Sequence, residues 1–342
     1  MRPIRTGFSI LALATLPVML AAGTDDTKPN PNLKAKLGDR VARVGDEIVA
    51  CGQLFHTTAP VKLWTDPGGY DAYRLDHRFG PQGEPPRGQD AEAPKPLRRY
   101  GSRRVDLTPE QKEQVRGGGW DLPLLQAKVD QFVIHFDVCG SSQKCFEVLH
   151  DQRGLSVQFM LDVDGTIYQT LDLKEGAWHA TKANGRSIGI EIANVGTFQD
   201  RSQGLAARWY AKDDGGKTRL TIPDPKLVPT LAPGAVLRPD RDEPVTGVVQ
   251  GQQYSQYDLT PQQYDSLIKL TATLAKVFPK IRLDYPKDDQ GRLIPKKLED
   301  DVYDKYQGIL GHYHVQLNKN DPGPAFQWDR LIVGAKALMA ED

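Results

Sequence analysis

Two histidines and one aspartate in this sequence are candidates for a metal site. His135 interrupts the apolar segment "FVIHF" (residues 132–136), and His312 follows the apolar "ILG". Asp321 lies nine residues after His312 in "KNDPGPAF", where proline and glycine favour a rigid turn that presents side chains at fixed positions. A lone strand histidine is more often structural, but two histidines with one carboxylate leave a fourth position open for water. This is the ligand set of a catalytic zinc site.

Glu191 and Lys319 could do chemistry beside such a site. Glu191 lies within "IGIEIA" and faces away from the isoleucines of that segment. A buried carboxylate is unfavourable unless it is paired, but near a metal site it could accept a proton from water as a general base. Lys319, two residues before Asp321, could stabilise the oxyanion formed when an amide carbonyl is attacked. The alternatives are a structural, salt-bridged glutamate and an ordinary surface lysine.

His314 is a rival metal ligand. It follows His312 by two residues, so both side chains would point the same way if they lay on one extended strand.

The elements that must position these residues can be read from periodicity and turn signals. "FVIHF" and "SIGIEIA" are typical of buried strands, and Asp164-Gly165 within "SVQFMLDVDGTIYQTL" indicates a hairpin turn. Thr108 and Thr260 each precede proline and a glutamine three residues on, which predicts capped helices. We therefore expect a mixed α/β fold, with a central, mostly β sheet flanked by helices.

The chain divides into several segments. Residues 1–23 carry two arginines, an apolar run at Phe8–Ala22 and a small-residue end, which predicts a cleaved signal peptide. The apolar run is shorter than the roughly 20 residues that a membrane-spanning helix needs. Residues 24–36 are predicted to be a flexible lead-in, 37–77 a small β-rich region, and 78–106 a linker rich in proline, glycine and charge. The catalytic domain would occupy 107–342, with an insertion at about 201–257. We therefore expect export to the periplasm or cell envelope, with no stable membrane anchor after cleavage.

Composition narrows the function classes further. Lysine and arginine (44) balance aspartate and glutamate (44), so no overall charge argues for a nucleic-acid partner. Since disulfides persist in exported proteins, Cys139 and Cys145, at the ends of "CGSSQKC", are expected to form one, leaving Cys51 single.

Six ordered blocks carry a family resemblance. They are "FVIHF", "DVDGTIYQTLD", "AWHA", "NGRSIGIEIAN", "GHYHV" and "KNDPGPAFQWDRL". Together they resemble the zinc-dependent N-acetylmuramoyl-L-alanine amidases of the AmpD-like type, which share a fold with phage amidases and animal peptidoglycan recognition proteins. The resemblance covers roughly residues 131–336, except for the insertion.

The resemblance implies a role for each matching position. It implies one zinc ion held by His135, His312 and Asp321, with Glu191 as the catalytic glutamate and Lys319 as the lysine that stabilises the transition state. His179 matches a histidine near the substrate cleft, so it is expected to contact substrate or to support a metal ligand rather than to be one. Asn184 and Arg186 flank the same strand, where contacts to peptide or sugar and structural roles are both open. The spacing of the two cysteines also resembles a small disulfide loop of the recognition proteins. Val157 stands where the phage branch has a tyrosine, so Glu191 would be the only base.

The implied substrate is peptidoglycan or a muropeptide, cut at the amide between N-acetylmuramic acid and L-alanine by what we expect to be a monomer. Two alternatives remain. One is a peptidoglycan-binding module without catalysis, although such relatives typically lose a zinc ligand. The other is a zinc peptidase that cuts within the stem peptide.

Overall fold

A computed structural model of the protein describes residues 43–79, 99–199 and 204–341. The strands in these residues are β1 (Glu47–Ala50), β2 (Gln53–His56), β3 (Val61–Leu63), β4 (Tyr100–Ser102), β5 (Gln131–Phe136), β6 (Phe159–Leu161), β7 (Ile167–Gln169), β8 (Glu175–Ala177), β9 (Ser187–Ile192), β10 (Tyr210–Lys212), β11 (Thr218–Leu220), β12 (Val245–Val249), β13 (Gln252–Gln256) and β14 (Gly308–Gly311). The α-helices are α1 (Pro109–Val115), α2 (Leu122–Lys128), α3 (Ser142–Phe146), α4 (Ala206–Trp209), α5 (Pro261–Val277), α6 (Asp300–Lys305), α7 (His312–Val315) and α8 (Trp328–Glu341). The predicted signal peptide, the flexible lead-in and residues 80–98 of the predicted linker lie outside the described residues.

The central sheet has six strands in the order β14-β5-β9-β6-β7-β3. Neighbouring strands are parallel except for the antiparallel β6–β7 hairpin, whose turn contains Asp164 and Gly165 as predicted. Helices flank this sheet, so the predicted mixed α/β class is confirmed.

One face of the sheet packs against the two longest helices. The isoleucines of β9 join Tyr264, Leu267 and Leu274 of α5 and Leu331 of α8 in the largest apolar cluster. The predicted capping box starts α5, because the Thr260 hydroxyl accepts from the Gln263 amide while the Gln263 side chain accepts from the Thr260 amide. Burial of one face leaves alternate side chains of β5 and β9 on the opposite face, where the candidate site lies.

Over its described residues, 43–77, the predicted β-rich region contains β1, β2 and β3, and it is not separate from the central sheet. The described residues from 44 to 341 form one compact unit, and β3 is the edge strand of the central sheet, parallel to β7. Buried Arg99 bonds the carbonyls of His150 and Asp76 and the carboxylate of Asp151. These contacts tie the segment before the linker to the segment after β5.

The predicted insertion is folded over its described residues, which begin at 204. It forms the β10–β11 and β12–β13 ribbons, and its apolar side chains, including Trp209 and Tyr210, pack around Val195 just after β9. Among all described residues, no helix is long and apolar enough to cross a membrane.

Candidate active site

Sheet register brings three candidate residues together at the carboxyl ends of neighbouring strands. His135 on β5 pairs directly with Glu191 on β9, so the two side chains lie next to each other on the same face. On the other side of β5, Gly311 of β14 pairs with Ile134, so that His312 follows at the level of His135. Ligands and active sites in parallel α/β sheets lie at this end of the strands.

His135, His312 and Asp321 form a buried cluster. Nδ1 of His135 lies 2.9 Å from Nδ1 of His312 and 2.9 Å from Oδ2 of Asp321, and the remaining separation, between His312 Nδ1 and Asp321 Oδ2, is 3.0 Å. A tetrahedral ion with bonds of about 2.0–2.1 Å separates its ligand atoms by about 3.3 Å. All three residues are buried, and their side chains converge closely enough to hold one ion.

The protonation of His312 shows why a cation fits this cluster. Its Nε2 lies 2.6 Å from Oε1 of Gln316, an atom that can only accept, so the ring proton is on Nε2. Nδ1 therefore presents a lone pair to the carboxylate oxygen of Asp321. Two electron-rich atoms this close in a buried site favour a cation between them, and two imidazoles with a carboxylate are a donor set that suits zinc.

Electrostatics hold the cluster in the protonation state that a metal needs. Burial, together with the neighbouring His312, lowers the pKa of His135 to about 4, which keeps that ring neutral at physiological pH. A neutral imidazole and an ionised carboxylate are the forms that ligate.

Glu191 lies in the same cavity. The cavity has a volume of about 270 Å³, and its lining also includes Lys319 and Arg153. Among the described residues, buried Oε2 of Glu191 has no hydrogen-bond partner. Burial, followed by the charges of Asp321 and Asp137, raises the pKa of Glu191 well above its ordinary value, while Lys319 and Arg153 act in the opposite direction. A carboxylate with a raised pKa in a cleft is suited to taking up and returning a proton.

The loop that carries Lys319 and Asp321 is held by side chains from the insertion. Nε2 of Gln256 donates to the Pro322 carbonyl at 3.0 Å, and its Oε1 accepts from the Ala325 amide at 3.1 Å. Nε2 of Gln250 contacts the Lys319 carbonyl at 3.3 Å. The loop is therefore fixed by tertiary contacts as well as by its prolines.

His314 is not a rival ligand, because the chain turns into helix α7 at His312 and does not continue as a strand. Its Nδ1 accepts from the Gly311 amide at 2.8 Å, and its Nε2 lies 2.8 Å from the Ile294 carbonyl. Both ring nitrogens are thus used, and burial lowers the pKa of this histidine to about 3.

The three predicted substrate contacts fall in different places. His179 reaches the site, with Nδ1 2.9 Å from Nε2 of His135. Asn184 accepts from the amides of His179 and Ala180 through its side-chain oxygen, and it lines a second cavity next to Trp178, so a substrate contact there stays a prediction. Arg186 lines a different cavity and is occupied by the Asp130 carboxylate and two backbone carbonyls, contacts that fit the structural alternative; a substrate contact there stays a prediction.

The cysteines are free thiols in the structure. Cys139 and Cys145 both line the cavity, and burial raises the pKa of each thiol, which disfavours the thiolate needed for disulfide exchange. The predicted disulfide is therefore absent here, and its formation in an oxidising compartment stays a prediction.

Sequence reasoning missed Gln316 and Arg153. Gln316 follows His312 by four residues, a helical spacing that would have revealed it had "HYHV" been interpreted as helix. Arg153 follows a single π-helical turn, Glu147–Gln152, for which the sequence gives no clear signal.

Comparison with known proteins identifies the family. The model of the N-acetylmuramoyl-L-alanine amidase family matches residues 125–324. No curated protein sequence matches the chain. Similar solved structures include N-acetylmuramoyl-L-alanine amidase LysC from Clostridium intestinale (18% identity, 62% of this chain and 88% of that chain, TM-score 0.33). Another is AmiD from E. coli in complex with anhydro-N-acetylmuramic acid-L-Ala-D-gamma-Glu-L-Lys (17% identity, 60% and 57% covered, TM-score 0.34).

The family match spans more than half of the chain and includes every residue of the cluster, together with Glu191 and Lys319. The chain therefore belongs to the N-acetylmuramoyl-L-alanine amidase family, a class of enzymes that hydrolyse peptidoglycan.

Proposed function

We propose that this protein is a zinc-dependent amidase that cleaves the bond between N-acetylmuramic acid and the L-alanine of the stem peptide. The observation that supports the proposal is the buried cluster of His135, His312 and Asp321, in which His135 pairs across the sheet with Glu191. Oε2 of Glu191 has no hydrogen-bond partner among the described residues. Three protein ligands with an open side toward a cavity are the arrangement of a catalytic rather than a structural zinc site.

Each residue has a distinct task in the proposed reaction. When bound, a zinc ion would supply Lewis-acid polarisation and a nucleophile at neutral pH. Glu191 takes a proton from the attacking water and returns it to the leaving amine of L-alanine. Lys319, half-buried on the cavity wall, donates to the oxygen that becomes negative during attack. Burial lowers the pKa of His135, which keeps that ring neutral and able to ligate.

We also propose where the stem peptide extends. Trp178 lines both the catalytic cavity and a second cavity of about 520 Å³, whose wall includes Arg104 and Lys182. Arg104 is exposed and makes no ion pair with a described residue, whereas Lys182 already bonds Asp300. An unpaired guanidinium is suited to the carboxylates of a stem peptide, while N-acetylated sugars carry no charge to attract it.

The test is mass spectrometry of purified muropeptides incubated with zinc-loaded protein, with the Glu191→Gln variant in parallel. Release of intact stem peptide by the wild type, and a loss of about 10²–10⁴-fold in rate for the variant, is the expected result. The variant keeps the shape of the side chain and all three metal ligands, so its zinc content should equal that of the wild type.

The same experiment separates the alternatives. Muropeptide that stays bound but uncut would indicate a recognition module, and fragments cut within the peptide would indicate a peptidase. Neither outcome is expected, since the ligands, the base and the lysine are all present in one cavity.

We propose export to the periplasm or cell envelope and a monomeric state from the sequence alone. Residues 1–23 lie outside the described part of the chain. Mass analysis of the mature N-terminus from a cell-envelope fraction tests cleavage, and an intact N-terminus on protein retained in the cytoplasm would refute it.

A further inference from the structure

Nε2 of His135 faces a second histidine rather than a carboxylate or a carbonyl. It lies 2.9 Å from Nδ1 of His179, and the two rings meet edge to face at 90°. Two neutral imidazoles in this geometry share one proton, so one nitrogen donates and the other accepts. A neutral imidazole carries one ring proton, so the donor in this contact determines the state of Nδ1 of His135. If Nε2 of His135 donates, Nδ1 has a lone pair that can bind a metal; if Nε2 accepts, Nδ1 carries the proton and cannot.

The hydroxyl group of Ser187 determines which of the two histidine nitrogens donates, because it has only one proton to give. Its Oγ donates to the Ala183 carbonyl at 2.7 Å, which leaves only lone pairs for other partners. Nε2 of His179, at 3.3 Å from the same Oγ, must therefore be the donor of that contact. A neutral His179 protonated on Nε2 has an acceptor at Nδ1, so His135 donates from Nε2 and keeps its Nδ1 lone pair.

Strand β9 is built to place this chain of hydrogen bonds under the metal cluster. Ser187, Gly189 and Glu191 alternate along one face of the strand, opposite the isoleucines that enter the core. The ring of His179 lies over Gly189, where a Cβ would come within 2.6 Å of two ring atoms. A side chain at 189 would displace His179 and break both of its contacts.

We propose that Ser187 is a positioning residue for the metal site: by fixing the tautomer of His179, it holds His135 with Nδ1 free to bind the ion. The inference rests on the proposed zinc site, but it concerns metal binding and not the bond that is cut. Loss of a partner of this kind typically weakens metal binding by about 10–100-fold. Because Ser187 contacts His179 and not the ligand His135 itself, we expect the lower end of that range.

The experiment measures the zinc dissociation constant by chelator competition for the full chain and four variants. Ser187→Ala removes the hydroxyl and should weaken binding about tenfold. Ser142→Ala is the matched control, a buried serine whose Oγ has no partner among the described residues, and it should bind as the wild type does. His179→Phe removes the acceptor while keeping a ring, and the double variant Ser187→Ala/His179→Phe completes a cycle.

The double-mutant cycle tests whether Ser187 acts on His135 through His179, which we call the relay. If Ser187 acts only through His179, adding Ser187→Ala to His179→Phe should leave the zinc dissociation constant unchanged, and additive losses would overturn the proposal. Histidine ¹⁵N spectra of the metal-free protein give a second readout, in which wild-type His135 carries its proton on Nε2 and Ser187→Ala mixes the tautomers.

An unchanged His135 tautomer and unchanged zinc affinity in Ser187→Ala would also refute the relay. All of these readouts precede catalysis, so a failure of the amidase proposal in the muropeptide assay would leave them intact and distinguishable.

Discussion

Gln256 is the residue through which the insertion holds the loop that carries Asp321. Its buried side chain bridges the Pro322 carbonyl and the Ala325 amide, as described above. Gly323 lies between them with φ of 85°, and a Cβ there would be 2.1 Å from Oε1 of Gln256, so the loop and the amide fit without spare room. We expect Gln256→Ala to destabilise the protein and to weaken metal binding at the same time.

The magnitude follows from the groups that lose a partner. The substitution leaves one buried carbonyl and one buried amide unpaired, each at about 1–3 kcal/mol, so the free energy of unfolding should fall by about 2–6 kcal/mol. For a domain of this size each kcal/mol lowers the melting temperature by about 2–4 °C, which gives a decrease of roughly 4–24 °C. Because Asp321 precedes the released carbonyl, zinc affinity should fall by about tenfold or more.

Urea and thermal unfolding of the metal-free protein measure the first effect, and chelator competition measures the second. Gln253→Ala is the matched control: it lies on the same strand, is exposed, and should change the free energy of unfolding by less than about 0.5 kcal/mol. If Gln256→Ala behaves as Gln253→Ala does, the loop is held by other contacts. A loss of stability with unchanged zinc affinity would show that the loop does not govern Asp321.

Three further predictions concern charge. Burial raises the pKa of Asp137 to about 7, so the folded state binds this proton more tightly than the unfolded chain does. The free energy of unfolding should therefore fall as the pH rises from about 4 to 7. In urea titrations of the metal-free protein at several pH values, Asp137→Asn should show a decrease that is smaller by a few kcal/mol. Arg99→Met leaves Asp151 buried without its ion pair and should cost about 3–5 kcal/mol in the same assay. Arg104→Ala should raise KM several-fold for a muropeptide with a tripeptide stem but not for N-acetylmuramoyl-L-alanine, and equal effects on both substrates would contradict the proposed stem-peptide cavity.

Local patterns in the sequence predicted the elements of the fold well. The capping boxes at Thr108 and Thr260 are present, and the strands containing His135 and Glu191 lie where the apolar periodicity placed them. Capping and periodicity involve residues within a few positions of each other, so one segment carries the whole signal.

Contacts between distant segments account for most of what the sequence did not reveal. Arg186 is one example, because its partners Asp130 and Asp304 lie 56 and 118 residues away in the chain. The pairing of β3 with β7 is similarly long-range, which is why the N-terminal β-rich region was expected to be a separate segment. A spacing rule cannot identify a partner that only the tertiary fold brings near.

The site divides into a part fixed by the sheet and a part that the sheet cannot fix. His135 and Glu191 are set by strand register, and His312 follows directly from β14, so their relative positions are as stable as the core beneath them. Asp321 has no strand of its own, although it supplies the only charged ligand of the cluster. Its position depends on the loop, and the loop depends on the insertion through Gln256. The insertion therefore supports the metal site through its contacts with this loop, and its removal should weaken zinc binding even where the central sheet remains folded.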